Sequence, residues 1–323
     1  MHFTVRAPGS SANLGPGFDA LGLALDLWNE LTVDTEGPPD AVTLEGRDAD
    51  LLTGRENLSL KAMRTLAAAH GRELPPFALT SRTEVPVARG LGSSAAALVA
   101  GLLAADRLLG LNLTDVELYG HAWRMEGHGD NVGATFYGGA VLAVPGVPEA
   151  VQLCPGETLG LTAVVFVPEI TGATWAARAA LPTHVPHPDA AFNVATASGL
   201  AVGLLTGNHA LIAAGMRDRL HEPYRARLFP HLTPLAAAAR HAGALGAALS
   251  GAGPSVLALS DPTAARSVAA ALTHTATTLG APGEVVSLPP VCHGAHIIEE
   301  QDASQNSRAA NVLLTGGQDC LIP

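Results

Sequence analysis

Apolar positions along the chain fall into short runs and helical stripes, separated by breaks rich in glycine and proline. Residues 3–33 alternate between β-favouring pieces and a polar, glycine-rich insert at 8–22 that reads as a loop. Leu58, Met63, Leu66 and Ala67 recur at helical spacing, which predicts a helix over 57–70. Residues 77–87 alternate as a strand does, and 90–109 reads as a glycine–serine turn feeding an apolar helix. A further helix is expected over 113–123, with Thr114 and Asp115 near its start as caps. A strand over 140–144 follows, and proline and glycine then cluster over 145–160 as at a domain boundary.

The second half repeats the mixed pattern. A strand is expected over 161–167, helices over 191–205, 209–219, 232–241 and 264–279, and two strand-like pieces within 246–259. Those two pieces flank Ser250-Gly251-Ala252-Gly253-Pro254-Ser255. From about residue 289 periodicity fades and polar residues accumulate, so 289–323 is expected to be a loosely ordered tail outside either core. The division expected is therefore 1–157, 158–288 and the tail.

Composition narrows the function. The 323 residues suffice for two ordinary domains or one large one. Apolar residues make up 48% and charged residues 15%, which supports a sizeable core and argues against wholesale disorder. The longest apolar run near the middle, 95–105, stops at Asp106, far short of the roughly 18 residues a membrane span needs. The start, Met1-His2-Phe3-Thr4-Val5-Arg6, lacks the basic-then-apolar order of a secretion signal, so the expected compartment is the cytoplasm. Cys154, Cys292 and Cys320 are odd in number and widely spaced, which argues against structural zinc and a disulfide framework. His184 and His187 have no third ligand at metal-binding spacing. A net charge of −11 opposes nucleic acid and anionic membranes as partners. Any polyanionic ligand must therefore be held by a local device, and Lys61 is the only lysine available.

The segment Pro86-Val87-Ala88-Arg89-Gly90-Leu91-Gly92-Ser93-Ser94-Ala95-Ala96 offers such a device. A glycine turn that runs straight into a helix presents unpaired N–H groups and the positive end of the helix dipole. Gly90 and Gly92 let backbone approach a phosphate with no Cβ in the way, and Ser93 and Ser94 add hydroxyls. Gly90-Leu91-Gly92-Ser93-Ser94-Ala95 also fits the dinucleotide pattern G-x-G-x-x-A, but Pro86 and Arg89 break the strand that should lead into that turn. A Walker A loop needs Gly-Lys-Ser/Thr, and Lys61 is nowhere near a glycine loop. A helix terminus contributes only ~0.3–1 kcal/mol, or ~2 when partly buried. That cannot hold a triphosphate alone, so other groups must assist.

Residues 86–96 resemble the central motif of the GHMP kinases, P-x-x-x-G-L-G-S-S-A. Leu249-Ser250-Gly251-Ala252-Gly253-Pro254-Ser255 resembles the C-terminal glycine motif of the same family. The N-terminal Ser11-Ala12-Asn13-Leu14-Gly15-Pro16-Gly17-Phe18-Asp19 is similar to the version carried by the homoserine kinase branch, S-A-N-L-G-P-G-F-D. It differs from the K-x-x-L-x-G-E-H style of galactokinases and mevalonate kinases. The ordered motifs span roughly residues 5 to 260. The resemblance implies an α+β, two-domain fold, the first domain like domain 2 of ribosomal protein S5 and the second ferredoxin-like. It implies transfer of the γ-phosphate of ATP to the hydroxyl of L-homoserine, with Mg²⁺ as cofactor. ATP is then bound by Asn57, Pro86, Arg89, Gly90, Leu91, Gly92, Ser93, Ser94, Ala95 and Ala96. Asn57, standing before an apolar helix, reads equally as an N-cap.

Glu126-Gly127-His128-Gly129-Asp130-Asn131 resembles the family's E-G-H-P-D-N segment, with Gly129 where proline is usual. By that match Glu126 and Ser94 ligate the metal; read alone, Glu126 is a solvated helix end. Thr174 and Arg178, followed by Leu181-Pro182, resemble T-x-x-x-R…L-P, and their i, i+4 spacing gives them one helical face. Asp218-x-x-His221-x-Pro223-Tyr224-Arg225 resembles D-x-x-H-x-P-Y-R. Arg178 and Arg225 are then a carboxylate clamp, a task that suits arginine's bidentate fork. Asp19 takes the ammonium; Asn13, His128, Asp130, Thr174, Gly251 and Gly253 complete the amino-acid site. Several relatives use an aspartate base and a lysine, whose counterparts here are Asn131 and Ser10. Asparagine cannot accept a proton at neutral pH, so no dedicated side-chain base is expected, with Asp130 and His128 the alternatives. The partners expected are ATP and homoserine; neither nucleic acid nor membrane is expected, and a homodimer is left open.

Overall fold

The computed structural model describes residues 1–299. Strands β1 (His2–Asn13) and β2 (Gly17–Asp34) form a long antiparallel hairpin, paired from His2↔Asp34 to Asn13↔Gly17. The loop expected over 8–22 is therefore mostly sheet, and the chain turns only at Leu14-Gly15-Pro16. The glycines there serve close approach rather than turning. A Cβ on Gly9 would press on the Leu91 carbonyl at 3.0 Å, and one on Gly22 would collide with the Asp130 carbonyl. The turn itself is left-handed over three residues, with φ of 70° at Asn13, 49° at Leu14 and 90° at Gly15.

This hairpin lies inside a sheet that also holds β3 (Val42–Gly46), β4 (Ala78–Thr83), β5 (Ala140–Leu142) and β6 (Val151–Cys154). The order is β11 (His296–Glu299)-β1-β2-β4-β3, with β5 paired to β2 and to β6. The outermost strand, β11 (His296–Glu299), pairs antiparallel with the edge of β1. Residues 289–299 thus depart from the loosely ordered tail expected there. The open edge of β1 supplies ladder partners, and Ile297 turns inward against the first core. Residues 300–323 lie outside the described residues.

Helices α1 (Ala49–Leu52), α2 (Leu58–Ala69), α3 (Ser93–Leu109), α4 (Asp115–Glu126) and α5 (Asp130–Tyr137) belong to this half. Asn57 caps α2, its side chain accepting the Leu60 N–H, and Thr114 with Glu117 forms a full capping box on α4. Helix α3 buries Ala95, Ala96, Leu98, Val99 and Leu102 against Val5, Ala7 and Leu31 of the hairpin. Alanine dominates that face, which allows α2 and α3 to pack closely: a Cβ on Gly101 would collide with the Ser59 carbonyl.

The second half opens with β7 (Thr162–Pro168). Helices α6 (Thr174–Ala179), α7 (His187–Thr206), α8 (His209–Gly215), α9 (Glu222–Arg225) and α10 (Leu232–His241) follow. Strands β8 (Ala244–Leu249) and β9 (Val256–Ser260), helix α11 (Ala265–Thr278) and β10 (Gly283–Leu288) complete it. The sheet order β10-β7-β9-β8, all antiparallel, is the ferredoxin-like arrangement.

The run 163–167 is apolar at every position because both faces of β7 are covered. Val164 and Phe166 pack with Leu235, Val268 and Leu272 of α10 and α11. Ala163, Val165 and Val167 face Leu200, Leu204 and Ile212 of α7 and α8, in a core that also takes Leu21, Leu23 and Leu25 of β2. One apolar cluster therefore joins the two sheets and fixes the cleft between them.

Helix α7 is 20 residues long and holds an 18-residue window of mean hydropathy 1.2, long and apolar enough for a membrane span by length and composition. It packs instead on α8, burying Leu200, Gly203 and Leu204, and its buried Asn193 donates to Asp218 at 2.8 Å.

Candidate active site

A cleft of about 890 Å³ runs between the two halves. One end is built by the phosphate-loop candidate, residues 86–92, and the start of α3. Gly92, the residue before α3, has φ 72° and offers no side-chain cap, so the first-turn N–H groups of α3 face the cleft. A Cβ on Gly92 would collide with Ser10 Oγ, and one on Gly90 (φ 76°) with the Ser250 carbonyl. Both glycines are thus imposed by crowding as well as by dihedral angle.

The glycine motif of β8–β9 packs directly on this loop. Ser250 Oγ donates to the Gly90 carbonyl at 2.6 Å and lies 2.8 Å from Ser11 Oγ, and Gly251 N–H donates to the Ala12 carbonyl. Motifs from three distant stretches therefore meet in one wall.

Ser93, Ser94, Ala96, Pro86, Leu91 and Asn57 line the same end. Two expected ATP contacts do not reach it. Ala95 is fully buried in the core beneath α3. Arg89 turns away: its guanidinium donates to Asp48 Oδ2 (2.6 Å) and to the carbonyls of Val87, Pro168 and Glu169. The loop's left-handed residue just before it, Ala88 (φ 56°), sends the Arg89 side chain under the loop, where it struts the loop against β7.

Ser94 Oγ donates to Glu126 Oε1 at 2.6 Å. The two residues offer hard oxygen donors at the cleft wall, the set a divalent cation such as Mg²⁺ accepts. Glu126 ends α4, and Gly127 (φ 88°) closes that helix and turns the chain toward His128 and α5.

His128 Nδ1 lies 2.6 Å from Asp130 Oδ1, which also accepts the Asn131 N–H at 2.7 Å. Burial pulls the His128 pKa down, but the bond to Asp130 and the charges of Asp130, Glu126 and Asp19 outweigh it, and the net shift is upward. Donor atoms of Asp19, His128 and Asp130 lie within 4.8 Å of one another. Asn131, at the start of α5, accepts from Ser10 Oγ at 2.9 Å.

Deeper in the cleft stand the two guanidiniums. Arg178 on α6 meets Asp19 in a bidentate pair, at 2.8 and 3.0 Å. That bond raises the Arg178 pKa, with the Asp19 charge adding to it and partial burial opposing. Arg225 is only 2% exposed. It donates to the carbonyls of Ala177 and Gly251 and to His221 Nδ1, and burial lowers its pKa. Both guanidiniums stack on Phe18, at 5.6 Å for Arg178 and 5.3 Å for Arg225. Asn13 Nδ2 donates to the Gly251 carbonyl at 2.8 Å and its Oδ1 accepts the Asp19 N–H, which holds Asp19 in place at φ 56°. Thr174, Gly251 and Gly253 line the cleft beside them.

Phe18 and His221 sit inside the N-terminal and D-x-x-H-x-P-Y-R motifs without an expected role, yet both contact the guanidiniums. Asp19 and Arg178, expected as separate ligand contacts, are paired with each other. Pairing across 159 residues leaves no trace in spacing.

Two family descriptions match the chain: GHMP kinases N terminal domain over residues 57–139 and GHMP kinases C terminal over residues 200–276. The homoserine kinase of Moorella thermoacetica is 38% identical over 297 residues, covering 91% of this chain and 99% of that one. The homoserine kinase of Deinococcus radiodurans is 44% identical over 80% of this chain and 84% of that one. Among solved structures, a homoserine kinase from Cytophaga hutchinsonii superposes with a TM-score of 0.82 at 30% identity, covering 92% of this chain and 97% of that one. A mevalonate kinase from L. major shares the fold at a TM-score of 0.67 and 18% identity. With near full-length relatives at this identity and both family domains present in order, the chain belongs to the homoserine kinase branch of the GHMP kinase family.

Proposed function

We propose that this kinase transfers the γ-phosphate of ATP to the side-chain hydroxyl of L-homoserine, giving O-phospho-L-homoserine and ADP, a step of threonine biosynthesis. The observation that carries the reading is the stacking of Arg178 and Arg225 on one ring, Phe18, in the cleft whose other end is the α3 N-terminus. Two guanidiniums suit a carboxylate, and Asp19 beside them suits an ammonium. The substrate's zwitterion exchanges the Asp19–Arg178 pair for two new ion pairs. Residues 1–157 act as the ATP-binding lobe and 158–288 supply most of the amino-acid clamp, and the enzyme works in the cytoplasm.

The loop and α3 N–H groups hold the phosphates, and Arg89 keeps that loop rigid from beneath. Ser94 and Glu126 would hold Mg²⁺, whose chemistry is to neutralise charge on the phosphates. Arg178 and Arg225 take the acceptor's carboxylate; Asp19, with Asn13, His128, Asp130 and Thr174 around it, orients the amino end. The hydroxyl oxygen then bonds to the γ-phosphorus, the bond from phosphorus to the ADP oxygen breaks, and the hydroxyl proton passes to a γ-phosphate oxygen. Alignment and charge neutralisation supply most of the acceleration in such a loose transition state. Asn131 donates a hydrogen bond but takes no proton. His128 is held through Nδ1 by Asp130, and its raised pKa makes the ring easier to protonate than an ordinary histidine.

A coupled ADP-release assay with homoserine, threonine, mevalonate and galactose in parallel tests the reading. Homoserine is expected to exceed each of the others by about 10²-fold or more in kcat/KM, the scale set by buried polar groups left unpaired. A preference for another alcohol would replace this reading.

A further inference from the structure

His221 is fully buried and lies outside the reach of any ligand in the cleft, yet both its ring nitrogens are committed. Nε2 lies 2.7 Å from the Gly15 carbonyl, an atom that can only accept. Nε2 therefore carries the proton, and Nδ1 is left as a lone-pair acceptor. Facing that lone pair at 3.2 Å is Nη1 of Arg225.

Arg225 is held in an unusual way for a buried cation. Its three acceptors, the carbonyls of Ala177 and Gly251 and the imidazole of His221, are all uncharged. Among the described residues no carboxylate forms an ion pair with it; the charges of Asp19, Asp218 and Glu222 act on it only from beyond contact distance, so the fork itself is left without a charged partner. A buried guanidinium in that condition is costly unless a ligand completes it. A carboxylate in place of His221 would occupy the fork and cancel the charge, and an apolar side chain would leave Nη1 short of a partner. A neutral imidazole aims the fork without neutralising it. Burial lowers the His221 pKa, and the Arg225 cation lowers it further against the opposing charges of Asp218 and Asp19 and the bond to Gly15, which keeps the ring neutral.

The other end of His221 ties the same fork to the opposite lobe. Gly15 lies in the left-handed turn between β1 and β2, two residues from Asn13 and four from Asp19. The His221 ring also packs on Phe18 at 5.3 Å, the ring on which both guanidiniums stack. Asp218 fixes His221 from behind by accepting its backbone N–H at 2.8 Å.

We infer that His221 is a positioning residue for substrate selection: as the neutral Nε2–H tautomer it locks the Arg225 fork, charge intact, in register with the turn that carries Asp19. The inference rests on the reading that Arg225 takes the acceptor's carboxylate.

The test compares His221→Gln with His221→Asn. Glutamine keeps a donor for Gly15 but loses the acceptor facing Arg225; asparagine keeps an acceptor at the Nδ1 position. His221→Gln is expected to raise the homoserine KM by about 10-fold or more, the loss of a hydrogen bond to a charged group. Its kcat and ATP KM should stay within about 2-fold, and His221→Asn, which restores the Arg225 acceptor but not the Gly15 donor, should recover part of the loss. The preference for homoserine over 3-aminopropan-1-ol, which lacks the carboxylate, should fall in His221→Gln by the same factor. Equal rises in the KM of ATP and homoserine, or an unchanged homoserine KM in His221→Gln, would overturn the assignment. Arg225→Gln run alongside separates the two readings: if it too leaves the homoserine KM unchanged, the carboxylate clamp itself fails. Should the variants not fold, ¹⁵N NMR of the wild-type ring decides. A neutral Nε2–H tautomer supports the inference, and an Nδ1–H tautomer or an imidazolium at neutral pH defeats it.

Discussion

Ser10 Oγ donates to Asn131 Oδ1 at 2.9 Å, beneath the phosphate loop and across 121 residues of chain. The resemblance to other GHMP kinases puts a lysine and an aspartate at these two positions. Here both charges are gone together and a neutral hydrogen bond stands in their place. That joint loss suits the base-free transfer proposed above, since removing only one charge would leave its partner uncompensated in a buried setting.

Replacing His128, Asp130 and Asn131 one at a time checks this. Each substitution is expected to lower turnover at saturating substrate, but by less than the ~10⁴-fold at the upper range for loss of a general base. A drop of that size for one of them would identify it as the base. Asn131→Asp should not help: a new carboxylate beside Asp130 repels the polyanion the loop must hold, so the ATP KM should rise.

Glu126→Gln should raise the Mg²⁺ concentration needed for half-maximal activity by about 10-fold or more, on the scale of losses at metal sites. Glutamine still accepts the Ser94 hydrogen bond, so the thermal midpoint should change little. An unchanged Mg²⁺ requirement would move the metal elsewhere.

Gly92→Ala combines a left-handed φ of 72° with a collision against Ser10 Oγ. The strain alone costs about 1–2 kcal/mol, and the shift it forces disturbs the N–H groups at the head of α3. The ATP KM should rise at least 10-fold with the homoserine KM nearly unchanged, as measured by varying each substrate separately.

Glu222 accepts the Leu249 N–H at 2.6 Å, and burial pushes its pKa from 4.5 up to about 7. Between those values the native protein holds a proton that the unfolded chain has released. The stability it contributes is therefore full at low pH and is lost as pH rises through about 7. Glu222→Gln keeps the acceptor for Leu249 and removes the titration. Its melting temperature should gain on wild type from pH 5 to about pH 7 and level off above that; a constant gap across pH 5 to 8 would contradict the assignment.

The candidate phosphate loop was readable because its geometry is local: Gly90, Gly92, Ser93 and Ser94 are demanded by one turn and one helix start. The ferredoxin-like half was readable only in part: α10 and α11 keep the helical period, whereas β7 shows no alternation because both its faces are covered, and β10 has no counterpart among the expected strands. Residues 8–22 misled because glycine signals a turn more often than it signals crowding, and only the folded neighbours of Gly9 and Gly22 tell the two apart. Arg89 shows the same limit at the level of one side chain. A motif fixes where its backbone goes, whereas the direction of the side chain depends on Asp48 and β7, which lie outside the motif. Asp19–Arg178 differs again: both members are individually visible, but their pairing depends on how α6 is set against the β1–β2 turn. The strand at 296–299 escaped because four residues carry too little periodicity to register, and its reason to form is the open edge of β1.

The account turns on the two guanidiniums, and the most direct measurement is the KM of Arg178→Ala for homoserine and for ATP under saturating conditions of the other substrate. The homoserine KM should rise about 10- to 100-fold, the loss of a charge-assisted contact, while the ATP KM stays within about 2-fold. A homoserine KM equal to that of the unaltered enzyme would contradict the clamp and, with it, the proposed orientation of the acceptor.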